Sequence, residues 1–422
     1  MAFRVPRGTY DILPDQVKVW HVLEETAKEL CRRYRYQEVR TPMFEQTDLF
    51  VRGVGDTTDI VEKEMYTFVD RKNRSFTLRP EGTAGVVRSF VENKMYTGSQ
   101  PTKLYYFGPM FRYERPQAGR YRQFHQFGIE AFGSNDPALD VEVIAMGMEY
   151  FRQLQLTGVT VAVNSVATPE IRSKYFEKLI AYFEPYQNEL AKDAQSRLYR
   201  NPMRILDSKD PHTQKIAAEA PSILDELDEE CASYFERVKN YLDLLKIPYV
   251  VQDRLVRGLD YYTHTAFEFM IDLPGAQAST IGGGGRFNGL VKEIGGPDLP
   301  GVGFGIGLER VILALKEQQV EIAKKEPLDC YIVSIGEQAS VYSVKVLQDL
   351  RQAGFMCERD YLGRKMKGQM KAADREQAKW VAILGEDELT QGKIRVKCLE
   401  TGEQELISLD MLVDYLKQKS SK

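Results

Sequence analysis

Glycines alternate with apolar residues through Gly303-Phe304-Gly305-Ile306-Gly307-Leu308-Glu309-Arg310, at the end of a glycine-dense region that begins near Ile281. A strand of this kind has side chains on one face only. Its bare face can take either a flat ligand or another backbone at close range, or can pack tightly on a helix. The strand runs into a helix starting near Leu308, and the Arg310 guanidinium is suited to stacking over an aromatic base. A dinucleotide-binding loop fits poorly, because the spacing is GxGxG and no βαβ unit surrounds it.

The rest of the chain supplies a large frame for this strand. Between Asp15 and Tyr34 the apolar residues Val19, Trp20, Val22, Leu23, Ala27, Leu30 and Cys31 recur at helical spacing, with Pro14 placed for a first turn. Short β-rich stretches follow at Tyr36 to Val39, Met65 to Val69, Phe76 to Leu78 and Thr102 to Phe107. Two runs, Met110 to Arg115 and Arg122 to Phe132, then flank a polar loop and predict a long antiparallel hairpin. A helix near 137–155 and a strand at 160–164 precede a charged, mostly helical stretch from about 165 to 245, which reads as an insertion. β character resumes at Tyr249. After the linker EQQVEIAKKEP, strands at 328–335, 355–360 and 380–385 alternate with helices near 339–353 and 365–378, predicting a small α/β domain with a mainly parallel sheet and a boundary near Pro327.

The 422 residues hold 57 basic and 61 acidic side chains, for a net charge of -4, so bulk charge does not make this chain a nucleic-acid coat. Any nucleic acid must be met by local patches. The five cysteines, Cys31, Cys231, Cys330, Cys357 and Cys398, include no CxxC pair and are expected to be reduced thiols. The start lacks an apolar core of signal-peptide length and no run of eighteen apolar residues exists, so a cytoplasmic protein without membrane contact is expected.

One local patch stands out. Between Lys103 and Gln123 there are five basic residues and one acid, including Phe111-Arg112-Tyr113-Glu114-Arg115, the loop Pro116 to Gly119, and Arg120-Tyr121-Arg122-Gln123-Phe124. Arginines on a rigid hairpin can hold phosphate or carboxylate oxygens through paired hydrogen bonds. Upstream, Tyr36-Gln37-Glu38-Val39-Arg40-Thr41-Pro42-Met43-Phe44 gives a strand ending at a proline.

In this order the three stretches resemble motifs 1, 2 and 3 of the class II aminoacyl-tRNA synthetases, whose catalytic domain is an antiparallel sheet flanked by helices. Thr77-Leu78-Arg79-Pro80-Glu81-Gly82-Thr83, at a strand-to-helix turn, and Arg257-Gly258-Leu259-Asp260-Tyr261-Tyr262, on an expected strand, resemble the bacterial type of the histidyl-tRNA synthetase family. The resemblance covers essentially the whole chain. One departure is Gly284-Gly285-Arg286-Phe287-Asn288-Gly289-Leu290, where the family pattern has Asp at position 288. The resemblance implies an α+β class II catalytic domain over 1–325, interrupted by the insertion at about 165–245, and an α/β anticodon-binding domain over 327–422.

It also implies a two-step ligase, first joining L-histidine to ATP with loss of pyrophosphate and then passing histidine to the 3′ end of tRNA(His). ATP is a substrate, Mg2+ arrives bound with it, and no resident metal site is expected. By similarity Arg112 would bind the α-phosphate, and Arg257 would touch both that phosphate and the histidine carboxylate; these two are the expected catalytic residues. Phe124 and Arg310 would sandwich the adenine, Glu114 would meet its edge, and Arg120 would reach the outer phosphates. Glu81 and Thr83 would take the histidine ammonium and Gln126 its carboxylate, while Glu130 and Tyr262, with Tyr261 beside them, would face the imidazole. Arg115 and Gln117 on the hairpin loop, with Arg364 and Lys365 in the last domain, would bind tRNA. The family implies a homodimer with the strand around Pro42 at its interface. The competing expectation is a non-catalytic relative, the synthetase-like regulatory subunit that partners ATP phosphoribosyltransferase in histidine biosynthesis. Retention of Arg112, Arg257, Arg310 and a full last domain favours the enzyme.

Overall fold

The computed structural model describes residues 3–55, 58–272, 280–323 and 327–420. The chain divides into two compact units, Met1–Ala323 and Lys324–Lys422.

An eight-stranded sheet organises the first unit, in the order Gln37–Glu38, Thr102–Phe111, Gln123–Phe132, Gly301–Gly307, Thr280–Arg286, Thr263–Met270, Thr160–Ser165 and Tyr249–Val251. Pairing is antiparallel throughout the middle and parallel only at the two edges. The hairpin differs from the sequence expectation. Its first strand runs unbroken from Thr102 through Gly108 and Pro109 to Phe111, and residues 112–115 leave the ladder. Other partners draw them away: the Tyr113 amide donates to the Glu64 carbonyl at 2.7 Å, and Arg112 Nε donates to the Pro80 carbonyl at 2.8 Å. The stretch 257–262 is likewise not a strand. It bends ahead of Thr263–Met270, with the Asp260 amide donating to the Val54 carbonyl.

Side chains alternate across the sheet, so its two faces have opposite characters. On one face Phe127, Phe267, Phe269, Phe304 and Ile306 are buried against Leu23 and Leu30 of helix Pro14–Tyr34 and against Tyr150 and Phe151 of helix Pro137–Gln153. Each such side chain contributes about 1.5–3 kcal/mol by leaving water. The other face carries Gly128, Gly283, Gly285, Gly303 and Gly305.

Residues 165–245 hold the helices Pro169–Phe183, Lys192–Arg197, Met203–Leu206, Pro211–Ala218 and Glu229–Leu244. Three of them begin as capping chemistry predicts, with Thr168, Asp210 and Asp228 accepting from the backbone amides of Ile171, Thr213 and Cys231. The last helix returns to the sheet's core side, where Tyr234 donates to Asp140 at 2.8 Å. Asp140 also pairs with the fully buried Arg286 and accepts from Thr265, while Arg286 donates to the Ser134 carbonyl at 2.8 Å. Strand, helix and insertion are thus tied at one charge pair.

The second unit has five strands in the order Cys357–Arg359, Cys330–Ile335, Trp380–Gly385, Lys393–Cys398 and Gln404–Ser408. The first three pair parallel, while Lys393–Cys398 pairs antiparallel with both Trp380–Gly385 and Gln404–Ser408, so the sheet is mixed. The added hairpin buries Ile394, Val396 and Cys398 while Lys393, Arg395 and Lys397 alternate outward. All five cysteines are buried thiols.

Asp140→Ala would strand the Arg286 charge inside the protein, which typically costs about 3–5 kcal/mol. Urea unfolding is expected to show that loss; an unchanged midpoint would show that the pair does not hold these elements together.

Candidate active site

Five glycines on neighbouring strands, Gly128, Gly303, Gly305, Gly283 and Gly285, face the same side of the sheet, in register as Gly128↔Gly305↔Gly283 and Gly303↔Gly285. A Cβ at any of three of them would overlap a site residue: Glu130 at Gly303, Arg257 at Gly283 and Tyr262 at Gly285. The bare face is therefore the floor on which those side chains rest. Above it lies a cleft of ≈ 520 Å³ lined by Arg112, Glu114, Arg120, Phe124, Gln126, Arg257 and Arg310 among others. The structure brings together in one cleft every residue expected to hold ATP.

Each charged member has a defined setting. Arg112 lies 5.3 Å above the Phe124 ring, and Glu114 stands 3.8 Å from Arg112 and 3.6 Å from Arg120. Arg257 pairs with Glu268 and lies over the Tyr262 ring. Burial works against the Arg257 charge, but Glu268, Tyr262 and Tyr261 together more than offset it, so its pKa is raised. Arg310 donates to the Thr280 carbonyl; burial, with Arg120 nearby, brings its pKa down to about 10, still charged at neutral pH.

Glu81, Thr83, Glu130, Tyr261 and Tyr262 are all buried. The turn after strand Ser75–Leu78 places Glu81 so that its two oxygens accept from the amides of Thr83 and Ala84, at 2.6 and 2.8 Å, at the start of helix Thr83–Glu92. The Thr83 hydroxyl donates to Glu130 Oε1 at 2.7 Å, joining the two carboxyl groups. Burial pushes Glu130 well above the ordinary carboxylate range, Thr83 opposes the shift, and the Glu81 charge adds to it. Glu81 is also raised by burial, against the pull of its amide donors. Three buried polar atoms here have no hydrogen-bond partner among the described residues: Glu130 Oε2, Gln126 Oε1 and Arg257 Nε. Unpaired buried polar atoms are costly, and a polar ligand is a natural means of satisfying them.

Comparison with known proteins decides the family. A family model described as histidyl-tRNA synthetase matches residues 8–311, and one described as an anticodon binding domain matches residues 329–419. The chain is 55% identical over 421 residues to the histidine–tRNA ligase of Bacillus cytotoxicus, covering 99% of this chain and 100% of that one. It is 56% identical over 419 residues to that of Anoxybacillus flavithermus, covering 99% of each. The chain belongs to the histidyl-tRNA synthetase family.

Among solved structures, the apo histidyl-tRNA synthetase of S. aureus superimposes with a TM-score of 0.84 at 48% identity, covering 99% of this chain and 100% of that one. The fold is therefore that of a class II synthetase with a C-terminal anticodon-binding domain. A structure described as an ATP phosphoribosyltransferase regulatory subunit/histidyl-tRNA synthetase, from Bacillus halodurans C, matches with a TM-score of 0.64 at only 18% identity, which speaks to fold alone.

Within this family site, several residues escaped the sequence reading. Glu268 reaches the cleft because it sits opposite Gly283 in the ladder, a register the sequence does not display. Glu309, beside Arg310, accepts from the His125 amide at 2.9 and 3.0 Å, contacts its ring at 3.0 Å and accepts from Tyr10 at 3.2 Å. Its place directly before Arg310 was the available signal. Asp207 and Lys209 of the helical stretch also line the cleft. Asn288 bonds Arg286 and Asn135 through its amide, and Asp140 supplies the charge that Arg286 needs. Arg115 and Gln117 lie on the hairpin loop beside Arg120 and Lys209. In the second unit Arg364 pairs with Asp360 at 3.4 Å, and Lys365 immediately precedes helix Met366–Arg375.

Glu130 gives a pH signature. Its folded pKa is raised, so the unfolded chain loses this proton first, and the stability it contributes at low pH is lost as pH rises toward the folded value. Glu130→Gln keeps the shape without that loss. In ligand-free thermal unfolding the difference in Tm between Glu130→Gln and wild type should move in the variant's favour from pH 5 to pH 8; a constant difference would contradict the raised carboxyl.

Proposed function

We propose that the chain is a histidine–tRNA ligase that activates L-histidine with ATP, releasing pyrophosphate, and then esterifies the 3′ end of tRNA(His). The observation that carries this reading is the set of unpaired buried atoms on the glycine floor: Glu130 Oε2, Gln126 Oε1 and Arg257 Nε. An imidazole with two polar nitrogens, an ammonium and a carboxylate together would satisfy a pocket of this kind.

In the first step the histidine carboxylate attacks the α-phosphorus and pyrophosphate leaves from the opposite side, so two anions must be held in line. Arg257 would contact both and stabilise the charge that develops between them; Arg112 would hold the α-phosphate from the hairpin side. Phe124 and Arg310 would take the two faces of the adenine, Glu114 its edge, and Arg120 the outer phosphates. Glu81 and Thr83 would bind the ammonium, Gln126 the carboxylate, and Glu130 with Tyr262 the imidazole, Tyr261 packing beside them. Glu114 lines the cleft with the hard oxygen donors that magnesium prefers. Mg2+ carried in by ATP would neutralise charge on the outer phosphates.

For the second step, Arg115 and Gln117 would approach the acceptor end of tRNA, while Arg364 and Lys365 would serve the anticodon-binding unit. Phosphate contacts of this kind position a nucleic acid without reading its sequence. The homodimer of the reading finds support in the small sheet of Phe44–Gln46, Ser75–Leu78 and Tyr66–Val69. There Phe44 and Phe68, 51% and 44% exposed, pack on Phe76 next to exposed Met43 and Val69, an apolar face that a second copy would cover. No helix among the described residues is long and apolar enough to cross a membrane. A cytoplasmic enzyme accords with its substrates.

The full-length likeness to ligases favours the enzyme over the regulatory subunit. Pyrophosphate exchange into ATP, run with each of the twenty amino acids and magnesium, should respond to histidine alone. In the same assay Arg257→Ala should lower the rate about a hundred-fold or more, as losing a transition-state contact does. A folded protein showing no exchange with any amino acid would overturn the reading.

A further inference from the structure

Two arginines of the cleft, Arg257 and Arg310, come from distant parts of the chain, yet a short run of hydrogen bonds joins them. Arg257 Nη1 pairs with Glu268 Oε1, and the other oxygen, Oε2, accepts from the Thr280 hydroxyl at 2.6 Å. The carbonyl of the same Thr280 accepts from Arg310 Nη1. A chain of contacts therefore runs Arg257, Glu268, Thr280, Arg310 across the cleft.

Local geometry explains why Thr280 can do both. The pairing of Thr280–Arg286 with Thr263–Met270 shifts register between Thr280 and Gly282, as at a bulge, and such irregularities re-aim a side chain. The terminal torsion of a glutamate is soft, so a carboxylate gripped through one oxygen can rotate about it. With Arg257 on one oxygen and Thr280 on the other, that rotation is blocked and the guanidinium plane is set with it. Gly283 leaves the space the guanidinium needs, since a Cβ there would meet Arg257 Nη1 at 2.7 Å.

We propose that Glu268 and Thr280 are positioning residues for adenylate formation, forming a relay that fixes the α-phosphate end and the adenine end of the ATP site relative to each other. The inference rests on the roles given above to Arg257 and Arg310. Thr280 touches neither reacting atom in this account; it acts through the two arginines.

The test is histidine-dependent pyrophosphate exchange with the full chain, alongside thermal unfolding. Thr280→Val keeps the carbonyl and removes the hydroxyl; kcat should fall about ten-fold and KM for ATP should rise, with Tm little changed. Thr280→Ser should restore kcat to within about two-fold. Glu268→Gln should lower kcat as well, and adding Thr280→Val to it should cost little more, because residues of one relay are not additive. Wild-type rates in Thr280→Val, failure of Thr280→Ser to rescue, or fully additive losses would each overturn the relay while wild-type exchange still upheld the ligase reading. Absence of histidine-dependent exchange in the wild type would overturn both.

Discussion

The glycines gathered on one face of three adjacent strands are the constraint on which the rest of this structure depends. Gly128, Gly303, Gly305, Gly283 and Gly285 create a surface low enough for Glu130, Arg257 and Tyr262 to lie on it. Glycine in a strand is unfavourable by itself, since it loses the most backbone entropy and has nothing to pack. The opposite face offsets that cost, where Phe127, Phe269 and Phe304 stack edge to face in a closed aromatic core. One sheet thus separates its tasks by side: stability below, chemistry above.

Buried charge is distributed on the same plan. On the core side Arg286 and Asp140 are fully buried and fully partnered, with Thr265, Tyr234 and the Ser134 carbonyl completing the set. On the cleft side polar atoms are held in place by one contact and left open at another. Glu130 is fixed through Oε1 and free at Oε2, and Arg257 is fixed through Nη1 and free at Nε. Groups arranged this way need little reorganisation when charge develops beside them, which is the main electrostatic advantage of a preformed site.

Much of this was legible in the sequence, and the limits have physical causes. Helix Pro14–Tyr34 was plain from its apolar spacing, and the alternate glycines of Gly301–Gly307 announced a stripped strand. Arg112 through Arg115 looked like continuing strand because local pattern does not reveal that Tyr113 would bond Glu64 instead. The 257–262 stretch, rich in aromatic residues of high β propensity, bends because Asp260 is held by Val54, a tertiary contact. Glu268 was missed for another reason: its alternation with Phe267 and Phe269 places it off the core face, but only the pairing with Gly283 puts it in the cleft. The strand Lys393–Cys398 did carry a period-2 signal that could have been read.

A buried, polar pocket would select histidine over apolar amino acids. Glu130 is buried, and that burial raises its carboxyl well above the ordinary range. A side chain of similar size without ring nitrogens would leave Glu130 Oε2 unpaired as before and would add its own lack of bonds to Tyr262. Each buried group left unsatisfied costs about 1–3 kcal/mol, so two together give a large discrimination before any transition-state effect is counted. Gly82 and Gly128 leave room for the buried ring of Tyr106, which a Cβ on either would overlap.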